Sequence, residues 1–185
     1  MEGYGIIYSD PPWRHPRCKG GPRRSRPGAS MGLGYKTIGI PEIAGIHRRF
    51  AALAAPRHNF FMWAIDALLP EAEGMMAAEG YALHARLVWD KGNGPCPAFT
   101  LRYTHEYLLW FYRKGRMLMP DARGVFTTVI REPHTEHSRK PEAAYRMIER
   151  MFPAARKIEL FARRRREGWD AFGDELGPHA QQTLF

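Results

Sequence analysis

Cysteine is scarce in this 185-residue chain: Cys18 and Cys96 are the only two. They stand far apart and outside any Cys-x-x-Cys pattern, so neither a disulfide framework nor a zinc site is indicated. Long apolar runs are missing as well. Nothing approaches the roughly 20 residues a membrane-spanning helix needs, and the N-terminus lacks the basic and apolar regions of a secretory signal. Neither a phosphate loop nor a Gly-x-Gly-x-x-Gly dinucleotide fingerprint is present. His105, His134 and His137 lack metal-ligand spacing and read as surface or structural groups. These absences set the expectation of a cytoplasmic protein in a reducing compartment, without a metal and without a membrane partner. Acidic residues are in short supply too. The 19 Asp+Glu face 28 Lys+Arg, a formal charge of +9, and that excess favours a polyanionic partner.

What is present is a folded domain. Hydrophobic residues at 44% and aromatics at 12% exclude a disordered chain, and the length is that of one domain able to bury a substantial core. That domain is expected over 1–176, with 177–185 as a tail. Gly5 to Ser9 is a short apolar run that reads as a buried strand and stops at Asp10-Pro11-Pro12-Trp13. The segment 14–34, rich in Arg, Gly, Pro and Ser, reads as a long basic loop, either a solvated surface loop or a substrate-contacting one. Helical spacing of Ile43, Ile46, Phe50 and Leu53 predicts a helix from Pro41 to Ala54. A strand follows over His58 to Ile65, a helix from Leu68 to Glu79 ended by Gly80, and strands at Leu83 to Trp89, Tyr103 to Tyr112 and Gly124 to Arg131. Pro141 at the first helical position opens a helix whose Ala144, Met147, Ile148 and Met151 share one face, closed by Pro153. Arg156 to Phe161 is the last expected strand. Strands alternating with helices in this way argue for an α/β layer structure with a mostly parallel sheet and helices on both faces.

Chemistry concentrates where strands end. Neither Pro11 nor Pro12 carries an N–H, so the turn after the first strand can continue neither a helix nor a ladder. It offers the Asp10 carboxylate and backbone carbonyls that read as lacking partners, beside the flat face of Trp13. Clustered acceptors next to a stacking surface suit a planar ligand bearing an amino group, such as an extruded nucleobase. Ligands of open α/β sheets bind at the carboxyl ends of strands near the point where strand order reverses. If the strand ending in Asp10 neighbours the one that runs into Arg163–Arg166, one can hold the base and the other a charged cofactor. Taken singly, each feature also has a structural reading: Asp before Pro-Pro is common in turns, Lys140-Pro141 is ordinary helix capping, and Trp63 and Trp89 read mostly as core.

Five segments in order resemble a known family: Asp10-Pro11-Pro12-Trp13 after a strand, Phe60-Phe61-Met62-Trp63, Leu87-Val88-Trp89-Asp90-Lys91, His137-Ser138-Arg139-Lys140-Pro141, and Ile158-Glu159-Leu160-Phe161-Ala162-Arg163. Together they resemble the adenine-N6 methyltransferases that include the eukaryotic mRNA adenosine methyltransferase and its bacterial and phage relatives, over roughly residues 5 to 176. The resemblance implies a Rossmann-like fold in which the catalytic motif precedes the cofactor segment, and S-adenosylmethionine as cofactor. It implies that Asp10, Pro11, Pro12 and Trp13 hold the adenine, with Asp10 also facing the cofactor. Lys140 would meet the methionine carboxylate, Phe161 and Arg163 would lie along the adenosine, and Gly173, Asp174 and Glu175 would close over it. Relatives often carry Asn then Glu or Gln where this chain has Asp174-Glu175. Arg14, Arg17, Lys19, Arg23, Arg24 and Arg26 would then meet a nucleic-acid backbone, DNA in preference to RNA, in a bacterial or phage-infected cell. RNA methylation, cytosine-amine methylation and a catalytically silent partner subunit are the alternatives. The last five residues resemble a sliding-clamp docking peptide through Gln181, Leu184 and Phe185, although a frayed terminus is the simpler reading.

Overall fold

The structure, a computed structural model, describes residues 3–14, 37–92, 103–133 and 139–176. Seven strands form one sheet: β1 (Tyr4–Ser9), β2 (Ala54–Ala64), β3 (Ala82–Asp90), β4 (His105–Tyr112), β5 (Val129–Arg131), β6 (Lys157–Leu160) and β7 (Trp169–Phe172). Three helices accompany them, α1 (Ile40–Ala51), α2 (Leu69–Ala78) and α3 (Glu142–Met151). The sheet order is β5-β3-β4-β2-β1-β6-β7. β4 is antiparallel to both its neighbours, and every other pairing is parallel. The expected mostly parallel α/β sheet is therefore the observed one.

β1 is buried throughout because both its faces are covered. Ile7 packs with Ile43, Ala44 and Phe50 of α1 and with Ala72, Met75 and Met76 of α2. Its neighbours along the strand, Ile6 and Tyr8, point the other way, into a cluster with Ala144, Tyr145, Met147 and Ile148 of α3. Helices thus lie on both faces, and the period of two along β1 sorts its residues between two cores. β1 sits between β2 and β6. The chain winds one way from β1 to β2 and the other way to β6, so the strand order reverses at the carboxyl end of β1.

Several boundaries differ from the sequence expectation. α1 ends at Ala51 and not at Ala54, because Leu53 already accepts the Tyr4 N–H at 3.0 Å and Ala54 pairs with Tyr4 as β2 begins. The expected helix over Leu68 to Glu79 divides into a 3-10 turn, Asp66–Leu68, and α2; Gly80 does end it, at φ +81°. The strand expected over Gly124 to Arg131 shrinks to β5, since only Val129–Arg131 finds register on Val88–Asp90. Pro141 is the residue before α3 and has extended backbone, φ −66° and ψ 137°, in place of the first helical turn. β7 escaped the sequence reading: it is four residues long, follows a turn at Gly168 (φ +75°), and its apolar pattern is too short to separate from the arginine run before it.

Candidate active site

Asp10 leaves β1 with its N–H donating to the Leu160 carbonyl of β6 at 3.3 Å. The turn that follows closes on itself. The Pro11 carbonyl accepts the Trp13 N–H at 2.8 Å and the Pro12 carbonyl accepts the Ile38 N–H at 3.1 Å, which corrects the reading of these carbonyls as unpartnered. The reason is the short bridge between Trp13 and Ile38, a contact across the long 14–34 segment that local sequence does not reveal. Each carbonyl retains a second lone pair for a ligand. The Trp13 indole N–H donates to the Trp63 carbonyl at 2.9 Å, which fixes the half-buried ring beside Asp10.

Asp10 is also the end of a chain of ion pairs. Lys140 Nζ lies 3.1 Å from Asp10 Oδ1 and 2.8 Å from Glu106 Oε2. The other oxygen of Glu106 accepts from Lys91 Nζ at 3.0 Å. Two indoles back this chain: Lys140 Nζ is 5.4 Å from the Trp63 ring centroid and Lys91 Nζ 5.8 Å from that of Trp89. Both rings are 1% exposed and meet edge to face, as their core reading required. The chain holds two carboxylates and two ammonium groups, so its formal charges cancel. Burial lifts the Asp10 carboxyl above its usual range, against the pull of Lys140. Burial would lower Lys140, but Asp10 and Glu106 outweigh it and raise the ammonium well above its ordinary range. Burial would likewise raise Glu106, yet Lys140 and Lys91 hold it at about 2.

Glu106 had no place in the sequence reading. Its signal was a lone carboxylate in the otherwise apolar, aromatic run of β4. Because β4 runs antiparallel, its first residues reach the end of the sheet where the parallel strands finish, and Glu106 pairs with Trp89 across the ladder. Lys91 belonged to a quoted motif but carried no role until this geometry gave it one.

The cofactor candidates lie at the neighbouring strand end. Phe161 follows β6 directly at φ +62°, in the left-handed region that non-glycine residues enter at a cost. Its ring faces His47 of α1 at 6.2 Å. His47 Nε2 and Ser9 Oγ are hydrogen-bonded at 2.9 Å, and burial pushes the imidazole down to about 3, which keeps it neutral. Gly173 meets the far side of this turn: a Cβ there would fall 2.2 Å from the Ala162 carbonyl oxygen. Only glycine permits that approach, which is sealed by the Ala162 N–H donating to Phe172 at 3.0 Å. Arg163 is exposed and helps lower the Asp10 carboxyl through space. Asp174 is exposed, and Glu175 follows it in a 3-10 turn, Asp174–Leu176.

Arg164 and Arg166 of the arginine run are structural. Both pair with Glu142 at the start of α3, and Arg166 continues to Glu149 at 2.7 Å. Trp169 donates to the same Glu149 at 2.8 Å. α3 is held from its other side by Glu132, whose carboxylate accepts the N–H groups of Glu142 and Ala143 at 2.8 and 2.9 Å. These contacts join the helix that carries Lys140 at its mouth to the turn that carries Phe161 and Arg163. Beneath them lies a buried network in which Trp63 donates to Tyr8 at 2.5 Å and Tyr145 donates to Glu159 at 2.8 Å. Burial pushes the Glu159 carboxyl up to about 7.

Of the basic-loop candidates, Arg14 is exposed at the exit of the Asp10 turn. Arg17, Lys19, Arg23, Arg24 and Arg26 lie outside the described residues, as do Cys18, Cys96, His134, His137, Gln181, Leu184 and Phe185. Among the described residues no group of three His, Cys, Asp or Glu is placed to hold a metal ion.

Comparison with known proteins places this geometry in context. Residues 4–175 match the family model MT-A70. The chain is 29% identical over 187 residues to the type II methyltransferase M.MunI of Mycoplasma sp, covering 94% of this chain and 78% of that protein. It is 28% identical over 182 residues to the putative N(6)-adenosine-methyltransferase MT-A70-like of Medicago truncatula, covering 94% of this chain but 26% of that protein. A third relative is the N6-methyladenosine RNA methyltransferase MTA1 of Cryphonectria parasitica, 27% identical over 183 residues, with 94% and 52% covered.

Proposed function

The chain belongs to the MT-A70 family of adenine-N6 methyltransferases, and from that premise we propose that it transfers a methyl group from S-adenosylmethionine to the N6 amine of adenine in DNA. The observation that carries the reading is the pairing of Asp10 with Lys140 at 3.1 Å, at the carboxyl end of β1 and beside the exit of β6. A carboxylate next to an ammonium matches, with reversed signs, the amino and carboxylate groups of a methionine moiety. Phe161 and Arg163 at the adjoining strand end suit an adenosine. The residues present therefore fit this cofactor, with Lys140 on its carboxylate, Asp10 on its amine and Phe161 along its nucleoside.

When bound, S-adenosylmethionine supplies a methyl group on a sulfonium that an amine displaces in line, without a covalent enzyme intermediate. The work of the chain is positioning. Asp10, with the spare lone pair of the Pro11 carbonyl, accepts hydrogen bonds from the adenine amine and aims its nitrogen, while Trp13 packs against the base. Fixed acceptors also stabilise the positive charge that grows on the amine, and one such group is typically worth about 3 kcal/mol. The raised carboxyl of Asp10 suits it to hold the proton that the methylated amine sheds. Glu106 keeps Lys140 in place while Asp10 turns to the base. A base inside a duplex must first be extruded, which costs a few kcal/mol and favours single strands or deformable sites.

DNA is favoured over RNA because a relative matched over 94% of this chain and 78% of its own length is a type II methyltransferase. The basic residues of 14–34, which follow the Asp10 turn directly, would meet its phosphates. The test is transfer of labelled methyl from S-adenosylmethionine to DNA and RNA, each single- and double-stranded. Label in DNA is expected. Label confined to RNA would make the enzyme an RNA adenosine methyltransferase, and no label together with no cofactor binding by calorimetry would make it a silent partner subunit.

A further inference from the structure

At the end of the sheet opposite Asp10, the turn after β4 carries Arg113, Lys114 and Arg116. With Ala77, Gly80 and Ala82 these residues line a surface cavity of about 540 Å³. Its lining sets three cations beside three small residues. Gly115 turns the rim at φ +72°, and the Arg116 N–H closes the turn on the Arg113 carbonyl at 2.8 Å.

Arg113 packs on a tyrosine that a chain of hydrogen bonds fixes. His58 Nδ1 lies 2.8 Å from the Ala55 carbonyl, to which it can only donate. His58 Nε2 is then left to accept from the Tyr81 hydroxyl at 2.8 Å. The Arg113 guanidinium lies over the ring of this same Tyr81, its Cζ 4.9 Å from the ring centroid. Burial, reinforced by Arg113 and Arg116, lowers His58 and keeps it neutral, as this chain requires. Among the described residues no carboxylate pairs with Lys114 or Arg116, and Glu79, the nearby acid, is taken by Arg48 at 2.7 Å. One guanidinium stacked on Tyr81 and two exposed cations around a concave surface are an arrangement for phosphate.

We propose that this cavity is a second phosphodiester site, which takes backbone phosphates of the nucleic acid whose target base enters at Asp10. The proposal rests on the reading of the substrate as a nucleic acid and adds where a distant part of that polymer is held. β4 spans the separation, from Glu106 at one end to Arg113 at the other. Seven residues at about 3.3 Å each give roughly 23 Å. A duplex, with one phosphate per about 3.4 Å along each strand, covers that distance in about seven base pairs. Only polymers longer than this on one side of the target adenine can reach both sites.

The test compares the wild type with the double variant Lys114→Gln/Arg116→Gln, leaving Arg113 and its Tyr81 contact intact. Fluorescence anisotropy is read on single strands of about 5 and duplexes of about 30 nucleotides with a central adenine, across a salt series, and with inorganic phosphate as competitor. For the long duplex the variant should bind about tenfold more weakly, and the slope of log K against log salt should fall by about 2. Binding and methylation of the short strand should be unchanged. Equal affinity and slope for the long duplex in both proteins would overturn the proposal, and so would equal losses for short and long substrates. Loss of inorganic phosphate binding alone, with long-duplex affinity intact, would reassign the cavity to a small free anion and overturn it too. If the wild type binds the long duplex through this cavity but methylates nothing, the methyltransferase reading fails and the phosphate site stands.

Discussion

Asp10 answers to a line of charges that runs through Lys140 to Glu106 and Lys91. Lys140 lies far along the chain, and Glu106, which holds Lys140 from its other side, entered through the reversal of a single strand. Charge pairing between distant residues leaves no local spacing to detect, whereas Pro-Pro after a strand does. The buried carboxyls also set the pH response. Glu159 is lifted from the ordinary 4.5 to about 7 by burial, so the folded state binds its proton more tightly than the unfolded one. The stability it contributes is full below about pH 4.5 and is lost as pH rises through about 7. Asp10, also raised, acts in the same direction. Glu106, held at about 2, acts in the opposite sense, losing its contribution only as pH falls below 4.5 toward 2. Glu159→Gln keeps an acceptor for Tyr145 and cannot ionise. Thermal melts should therefore show the wild type losing several degrees more than the variant between about pH 4.5 and 7.5, at roughly 2–4 °C per kcal/mol. Parallel melting curves for the two proteins would remove Glu159 from this role.

Among the elements, those with long patterns were readable and those set by partners were not. β1, α1 and α3 announced themselves through continuous burial or a helical stripe. β7 and the true extent of β5 depend on which edge accepts them, a tertiary fact. α3 shows the distinction within one helix. Its apolar face is legible in the spacing, but the sequence puts Pro141 at the first helical position, whereas Pro141 stands one residue before the helix and the first two N–H groups are satisfied by Glu132 from the end of β5. Losing such a cap typically costs about 0.5–2 kcal/mol. Glu132→Ala should lower the unfolding free energy by that amount, seen as a lower urea midpoint at unchanged slope, and raise the KM for S-adenosylmethionine, because Lys140 stands just before the helix it caps. An unchanged midpoint would show that water replaces the carboxylate without loss.

The whole molecule is arranged about the reversal of strand order at β1. That reversal brings the exits of β1 and β6 side by side and, with the antiparallel β4, gathers Asp10, Lys140, Glu106 and Lys91 from four separate stretches into one neutral, mostly buried cluster. Cations at the opposite end of the sheet extend the surface a polyanion can touch. The central claim is that this cluster presents the N6 amine of adenine for methylation, and nucleoside analysis of methylated DNA tests it most directly. DNA incubated with S-adenosylmethionine and wild-type protein should yield N6-methyladenine. Asp10→Ala, checked to remain folded, should yield none above background. Methyl recovered on cytosine, or N6-methyladenine made undiminished by Asp10→Ala, would contradict it.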